Sequence, residues 1–509
     1  MKMKKNVAWG IRILFVLTPW ISGMVYCLMQ NISILEIYNP GGYWNDEVSY
    51  YKQIEGMVEN GIPKGYFAYN DSKAPIGSMG PWCILLFLPY AFYGKIFGWS
   101  YISPILCNIL FLTLGFLGFM FFSKKDCKTL LAVSVLYIFN PLLTRYLLSG
   151  MAEPFFFMCM LLYAGLVIRC WEEEKENKLR YIIGIFGLCG YLTIIRPYVV
   201  ILLIIPTIEL VKLKGKKSIF VSGIIMSLGV ALFYIINSNF CAPYFTAMPY
   251  VASIELLKSG QFISAIEYLW LSFVDYIKTI VFYVEKTFSI GYAEGEMYAY
   301  YGVYLLLVIV QCIFEKNKKY VMILVESLLI AIAIFVFYRP QPGARNIMML
   351  SVLFIVFIAC ASKKLAAYII VALAFFVTVP RNTDVYTLPA RTEEKTEYTK
   401  EYEEMFSEYI ILAEEVSWEN SVMWIMNDTN EDNTENYVVP YNILYALPKG
   451  SGFSVTQGTY VLAKGTDGIY SKYILTPSKG RVNELLIEKG CVLLDTKDDI
   501  NLLLNVRYK

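Results

Sequence analysis

The sequence predicts an α-helical polytopic membrane protein that carries a small C-terminal α/β domain outside the cytoplasm. Its composition favours this class, because 57% of the 509 residues are hydrophobic and only 17% are charged, against about a quarter in typical soluble domains. The pattern also changes near residue 380, where long apolar runs give way to charged and alternating segments. We therefore expect a membrane domain over residues 1–380 and a separate domain over residues 381–509.

Apolar runs follow one another along the first 380 residues, and most approach the roughly 20 residues that a helix needs to cross a bilayer. The first run follows a basic start, but it is too long for a signal peptide and no small-residue cleavage site follows it. We interpret it as an uncleaved helix. The apolar segments lie at about 7–29, 81–98, 101–122, 129–148, 153–170, 180–195, 197–211, 218–236, 298–314, 320–338, 344–361 and 364–379.

The placement of basic residues predicts the topology, since cytoplasmic loops carry an excess of Lys and Arg. Six basic clusters can all be cytoplasmic only if one early segment does not cross. Segment 81–98 is the natural candidate, because it is short and contains Pro89 and Lys95; it suits a helix lying in the outer interface. About eleven helices then cross, and the outer face carries the loops 31–100, 147–154 and 237–297 together with the tail 381–509.

The sequence of the tail predicts a small α/β domain. A helical stretch is expected at about 392–416, followed by short strands separated by Asn, Asp and Gly turns. The expected strands are "SVMWIMND" (421–428), "TYVLAKG" (459–465) and "GCVLLDT" (490–496).

Several classes of function are disfavoured by what the sequence lacks. The chain contains no histidine, which removes histidine-based triads and histidine-ligated zinc. Its cysteines have no metal-type spacing, so no metal-ligand set is evident and the cofactor is left open. It contains neither a Walker A motif nor a dinucleotide-binding glycine motif, so an ATP-driven pump is unsupported. The net charge of +2 carries no information on nucleic acid, and no nucleic-acid partner is expected.

The stretch "GGYWNDEVSYY" (41–51) places an acidic pair among aromatic residues in the first outer loop. If a helix begins near residue 45, Asp46 and Tyr50 share one face, as do Glu47 and Tyr51. The acids then belong either to a catalytic site or to an ordinary helix start, where acidic residues are common. The tyrosines either stack on a sugar or belong to an interfacial aromatic belt.

Other charged residues are predicted at the same outer face. Lys73 in "KAPIG" (73–77) is a candidate ligand for a phosphate, or alternatively a snorkelling lysine. Glu153 in "AEP" lies at the outer start of a helix. An acid at membrane depth is unfavourable unless it faces a wet cavity or a partner. Alternatively, it complements the helix dipole and has a structural role. Arg196, Arg339 and Arg345 fall at outer helix ends, where they either bind a phosphate or diphosphate or anchor the helices at the interface.

In their order and topology these features resemble the GT-C glycosyltransferases, which use polyprenyl-phosphate sugars, and among them the protein O-mannosyltransferase and aminoarabinose transferase group. The resemblance covers residues 1 to about 380. It rests on "NDEVSYY", the "KAPIG" element, "AEP" and "IRP" (195–197). The chain departs from the family in having Ala74 where a proline is usual, and Glu153 where Asp is common.

The resemblance implies that the chain transfers a sugar from a polyprenyl-phosphate donor to an acceptor hydroxyl on a protein, a wall polymer or a lipid. Asp46 corresponds to the catalytic acidic position and acts as general base in an inverting reaction, with Glu47 following it. Glu153 is the second acid of the cavity, and Lys73 and the three arginines face the lipid phosphate. The expected location is a plasma membrane. Two other classes stay open, namely a flippase for a lipid-linked saccharide and a non-catalytic envelope scaffold.

Overall fold

The computed structural model describes residues 5–37, 44, 46–62, 67–71, 83–242, 248–361, 365–378, 381, 383–390, 393–411 and 417–508. Its chain divides into two compact units. The helical unit comprises Met1–Leu35, Ile105–Phe233 and Ala247–Leu388. The α/β unit comprises Glu36–Pro104, Tyr234–Thr246 and Pro389–Lys509.

Helices make up most of the described chain. They are α1 (Lys5–Val16), α2 (Thr18–Met29), α3 (Asp46–Asn60), α4 (Ile84–Phe97), α5 (Ser103–Ser123), α6 (Cys127–Ile138), α7 (Pro141–Leu147), α8 (Glu153–Glu172), α9 (Lys175–Ile195), α10 (Ile204–Lys214), α11 (Ser218–Phe240), α12 (Pro249–Lys258), α13 (Phe262–Ile290), α14 (Ala293–Glu315), α15 (Lys318–Phe337), α16 (Pro340–Ala359), α17 (Leu365–Thr378), α18 (Thr383–Tyr386), α19 (Glu393–Tyr409), α20 (Gly458–Lys464) and α21 (Arg481–Glu488).

Seven helices in the described part of the chain are long and apolar enough to cross a membrane, namely α5, α8, α9, α11, α14, α15 and α16. The pairs α1–α2 and α6–α7 bend by 65° and 79° and raise the number to nine if each pair is one span. Both bends have proline at the start of the second helix, where it cannot donate a backbone hydrogen bond. The chain is therefore a helical membrane protein, and the predicted count of eleven crossings stays a prediction.

Two predicted crossings correspond to shorter elements. Segment 197–211 contains the 3-10 helix Pro197–Leu203 followed by α10, and segment 364–379 contains the 14-residue α17. Segment 81–98 contains α4, whose 14 residues extend only about 21 Å at 1.5 Å per residue. That length fits the predicted interfacial placement better than a crossing of about 30 Å.

The predicted outer loop 237–297 is largely helical. Helix α12 and the 29-residue α13 occupy much of it. In α13, charged residues interrupt the apolar ones at helical spacing, so the stretch has the pattern of an amphipathic helix and not of a crossing. Tyr276 packs inward and shares a hydrogen bond of 2.7 Å with the hydroxyl of Tyr298 on α14, whereas Ile263 and Trp270 are exposed.

Burial separates central from peripheral helices in the helical unit. In the most apolar stretch of each helix, 89% of α16 and 78% of α8 are buried, against 11% of α11. The fully buried carboxylate of Glu326 on α15 accepts from the Tyr163 hydroxyl and from the amide of Ile205, both at 2.7 Å. It thereby satisfies an amide in the first turn of α10, which is a structural role.

The α/β unit is built on a six-stranded sheet of order β1-β5-β2-β6-β8-β7. Strands β1, β5, β2 and β6 run parallel, while β8 and β7 are antiparallel to their neighbours. A separate antiparallel pair joins β3 and β4. The strands are β1 (Phe67–Tyr69), β2 (Ser421–Ile425), β3 (Asn427–Thr429), β4 (Asn436–Val438), β5 (Gly452–Thr456), β6 (Tyr473–Pro477), β7 (Val492–Lys497) and β8 (Ile500–Leu504).

The expected elements of the tail are partly confirmed. Helix α19 lies inside the expected 392–416, and β2, β3 and β7 lie in two of the expected strands. The interpretation of "TYVLAKG" as a strand was wrong, because residues 458–464 form α20. The preceding "GFSVT" is the strand, β5, and α20 places Val461 in a cluster with Val482 and Leu486 of α21.

Strand β1 comes from the first loop of the chain and pairs with β5, with Phe67 opposite Phe453. The next turn is fixed by Asp71, whose carboxylate accepts from the amides of Tyr470 and Ser471 at 2.7 and 2.9 Å. Burial raises the pKa of Asp71, although these hydrogen bonds oppose the rise. The first loop therefore supplies an edge strand of the C-terminal sheet, which the sequence did not predict.

Candidate active site

The acidic pair of the first loop lies at the start of α3, as the sequence predicts. Asp46 is the first residue of the helix and is partly exposed. Glu47 is 1% exposed. The carboxylate Oε1 of Glu47 accepts from the Trp44 amide at 3.3 Å, and the Glu47 amide donates to the Trp44 carbonyl at 3.1 Å. Glu47 thus stabilises the first turn as in a capping box, which leaves Asp46 as the acid nearer to solvent.

The two tyrosines that follow point to different neighbours. The ring of Tyr50 packs against Phe87 of α4 with centroids 5.3 Å apart. The ring of Tyr51 lies 4.9 Å from that of Tyr445, in the 3-10 helix Tyr441–Ala446. Burial raises the pKa of Tyr445, and the nearby Glu47 carboxylate raises it further, so this hydroxyl stays protonated. Tyr50 and Tyr51 are both 3% exposed.

Lys73, the predicted phosphate ligand, lies outside the described residues, as do the rest of "KAPIG" and Asn45.

In the helical unit, two predicted site residues are in contact. Arg196, which follows the last residue of α9, lies 3.5 Å from the carboxylate Oε1 of Glu153, the first residue of α8. The guanidinium also lies over the ring of Phe156, 3.6 Å from its centroid, and donates to the Tyr198 hydroxyl at 3.4 Å. The side chain of Glu153 is 3% exposed, that of Arg196 13%. The pair is therefore largely desolvated.

The second oxygen of Glu153, Oε2, is buried and has no hydrogen-bond partner among the described residues. A structural ion pair with arginine is commonly bidentate and uses both carboxylate oxygens. Because burying an unsatisfied charged oxygen is unfavourable, this atom is available for a ligand group that donates a hydrogen bond.

Arg339 and Arg345 lie at the same end of the helical unit. Arg339 is the exposed residue at the N-cap position of α16, without a side-chain capping hydrogen bond, and Arg345 is partly exposed in the second turn. Tyr338 precedes Arg339, and its ring lies 5.5 Å from that of Tyr198. The Tyr198 hydroxyl in turn accepts from Arg196. Tyr146 lies near charged side chains of both signs, namely Glu153, Glu294, Arg345 and Arg145.

Four predicted residues, Glu153, Arg196, Arg339 and Arg345, are thus grouped at one end of the helical unit. We call them, with Tyr146, Tyr198 and Tyr338, the Glu153 cluster. The three tyrosines are not among the site residues predicted from the sequence. Two of them adjoin predicted arginines, in "RPY" (196–198) and "YRP" (338–340), and that adjacency is the signal that was available.

The cluster combines one carboxylate with three guanidinium groups, and guanidinium groups bind phosphate oxygens. The first turn of α16 adds little to this, because Pro340 and Pro342 have no backbone N–H. Within the described part of the chain, no group of three or more Cys, Asp or Glu side chains is arranged to hold a metal ion.

Neither a family model nor a curated protein matches the chain. Solved structures similar to it include the oligosaccharyltransferase of Archaeoglobus fulgidus in complex with Zn and sulfate, at 11% identity and a TM-score of 0.47 over 91% of this chain and 68% of that one. ArnT from Cupriavidus metallidurans bound to undecaprenyl phosphate is similar at 10% identity and a TM-score of 0.48 over 98% of each chain.

Proposed function

We propose that the protein is a membrane glycosyltransferase that moves a sugar from a polyprenyl-phosphate donor to an acceptor hydroxyl on the outer face. The observation that carries this proposal is the Glu153–Arg196 pair, buried at one end of the helical unit with one carboxylate oxygen unsatisfied. Ionisable side chains buried in a membrane protein are unfavourable unless they face a partner or a ligand, which supports a binding role for this pair.

The leaving group of such a transfer is an anionic lipid phosphate, whose developing charge needs fixed positive groups. Arg196, Arg339 and Arg345 supply them. The stacking of Arg196 on Phe156 fixes the plane of the guanidinium, so little side-chain entropy is lost when phosphate binds. Lys73 is assigned to the same phosphate by its motif.

The acceptor hydroxyl needs a base, and Asp46 is assigned this role. Its carboxylate takes the hydroxyl proton while the acceptor oxygen bonds to the anomeric carbon and the bond from that carbon to the phosphate oxygen breaks. This is one inverting displacement with no covalent enzyme intermediate. The capping contact of Glu47 with Trp44 orients the first turn of α3, so Glu47 is assigned a positioning role.

A lipid-linked donor suits the location. The apolar helices keep the chain in the membrane, where a polyprenyl tail is dissolved, and the positive-inside rule assigns the Glu153 cluster and the α/β unit to the outer face. The acceptor is a hydroxyl of a protein, a wall polymer or a lipid.

The test uses the full chain in proteoliposomes with undecaprenyl-phosphate arabinose labelled in the sugar, and then with the corresponding mannose donor. A glycosyltransferase releases free undecaprenyl phosphate and places label on an added acceptor fraction from cell envelopes. Movement of intact labelled donor across the bilayer without release of lipid phosphate would instead identify a flippase. If neither donor is consumed or moved, the sugar-transfer proposal for these donors is wrong.

A further inference from the structure

The α/β unit contains a cavity of about 400 Å³ that the proposed transfer does not use. Helix α3 and α19 form two of its walls, and residues 99–101 and 445–449 form the others. A volume of this size falls in the range of small-molecule sites, about 300–1,000 Å³.

Four aromatic side chains line the cavity, and they form one connected group. The ring of Tyr51 lies 5.6 Å from that of Trp99, 5.8 Å from that of Tyr101 and 4.9 Å from that of Tyr445. The rings of Tyr101 and Tyr445 lie 5.9 Å apart. Aromatic faces carry partial negative charge, and they pack well against the C–H face of a sugar ring.

Polar groups surround these rings. The Tyr101 hydroxyl donates to the carboxylate of Glu403 at 3.0 Å. Glu55 lines the cavity and is paired with Lys52, which also donates to the Leu447 carbonyl at 3.0 Å. Burial raises the pKa of Glu55, and Lys52 opposes that rise. A few convergent polar groups around an apolar floor are typical of a binding site for a small polar ligand.

The hydroxyl of Tyr445 provides an independent indication of a ligand. Tyr445 is 3% exposed and lines the cavity, yet its hydroxyl has no hydrogen-bond partner among the described residues. An unsatisfied buried hydroxyl is unfavourable, and a hydroxyl of a bound sugar would satisfy it.

We propose that this cavity, lined by Tyr51, Trp99, Tyr101 and Tyr445, is a saccharide-binding site. The charged side chains of its lining are the two carboxylates of Glu55 and Glu403 and the single ammonium of Lys449. Because Glu55 is paired with Lys52, Glu403 and Lys449 are left to balance each other. The lining therefore has no excess positive charge to hold a sugar acid, and a neutral or amino sugar is favoured. Binding here does not require sugar transfer, so the site stands whether or not the chain is a glycosyltransferase.

The test is saturation-transfer difference NMR on the full chain in detergent, with cellobiose, glucosamine and glucuronate as separate probes. We expect saturation transfer to cellobiose or glucosamine and none to glucuronate. Tyr101→Ala, at the partly exposed rim, removes a stacking surface and is expected to abolish the signal. Tyr445→Phe keeps the ring and removes only the hydroxyl, and is expected to weaken binding about three- to tenfold.

Tyr470→Ala is the matched control, because this exposed tyrosine of the same unit lies outside the cavity; it retains wild-type binding. Asp46→Asn also retains it, which separates this site from the transfer reaction. Preference for glucuronate, no signal with any of the three probes, or wild-type binding by Tyr101→Ala would overturn the proposal.

Discussion

At the scale of single residues, two adjacent carboxylates have different surroundings. Glu47 is buried and holds the Trp44 amide, whereas Asp46 is partly exposed at the first position of α3. The sequence placed the pair at a helix start and assigned both residues to catalysis. It did not separate their roles, because the capping contact depends on the backbone conformation at residue 44.

The Glu47 contact predicts a difference between two substitutions. Glu47→Gln keeps an acceptor oxygen for the Trp44 amide, so we expect nearly wild-type stability and transfer reduced by no more than a few fold. Glu47→Ala removes the cap and lowers the free energy of unfolding by about 1 kcal/mol. Thermal unfolding in detergent and the transfer assay measure the two effects. A complete loss of transfer in Glu47→Gln, with stability intact, would instead assign Glu47 a direct catalytic role.

The Glu153–Arg196 pair predicts coupling between its two members. Arg196→Ala leaves a carboxylate buried without its cation and should lower the free energy of unfolding by about 3 kcal/mol. In the double variant with Glu153→Gln, the buried charge is gone and most of that loss should be recovered. Thermal unfolding of the single and double variants measures the coupling. Losses that simply add would show that the two side chains do not interact.

At the scale of elements, the packing of α13 on α14 depends on a glycine. A Cβ at Gly295 would lie 2.1 Å from the carbonyl oxygen of Tyr283, a backbone atom that cannot turn away. The sequence predicts a loop over 237–297, because α13 has an amphipathic pattern and not the long apolar run that marks a crossing. The contact of α13 with α14 depends on three-dimensional proximity that no local pattern encodes.

Gly295→Ala therefore forces α13 away from α14, and we expect the free energy of unfolding to fall by about 3 kcal/mol. Gly302→Ala is the control in the same helix, because a Cβ there meets no atom within 4 Å; it should be neutral or stabilising by up to about 1 kcal/mol. Thermal unfolding of the two variants in detergent compares them directly. Equal stability of the two would contradict the close packing of these helices.

At the scale of the whole molecule, the sequence predicted the helical class, most apolar segments and the existence of a C-terminal α/β part. Long apolar runs are read reliably because lipid imposes a length and a composition on them. Strand β1 was missed, since its three residues carry no periodicity and pair with β5 almost 400 positions later. Topology predicts that Glu153 and Arg196 lie at the same face, whereas their contact and the linking tyrosines depend on side-chain packing.

The predicted topology makes a test of sidedness possible. Lys489→Cys, exposed in the α/β unit, should react with a membrane-impermeant maleimide in intact cells. Lys216→Cys, exposed after α10, should react only after permeabilisation. Most native cysteines are buried, and the unsubstituted chain gives the background. Labelling of position 216 from outside, or protection of position 489, would reverse the topology.

The most direct test of the account is sugar transfer by Asp46→Asn, compared with Asp275→Asn, an exposed acid on α13. With equal amounts of folded protein in proteoliposomes and a labelled polyprenyl-phosphate sugar, Asp46→Asn should lose at least about a hundredfold in rate, while Asp275→Asn stays within twofold of wild type. Wild-type transfer by Asp46→Asn would contradict the assignment of Asp46 as the base and, with it, the proposed mechanism.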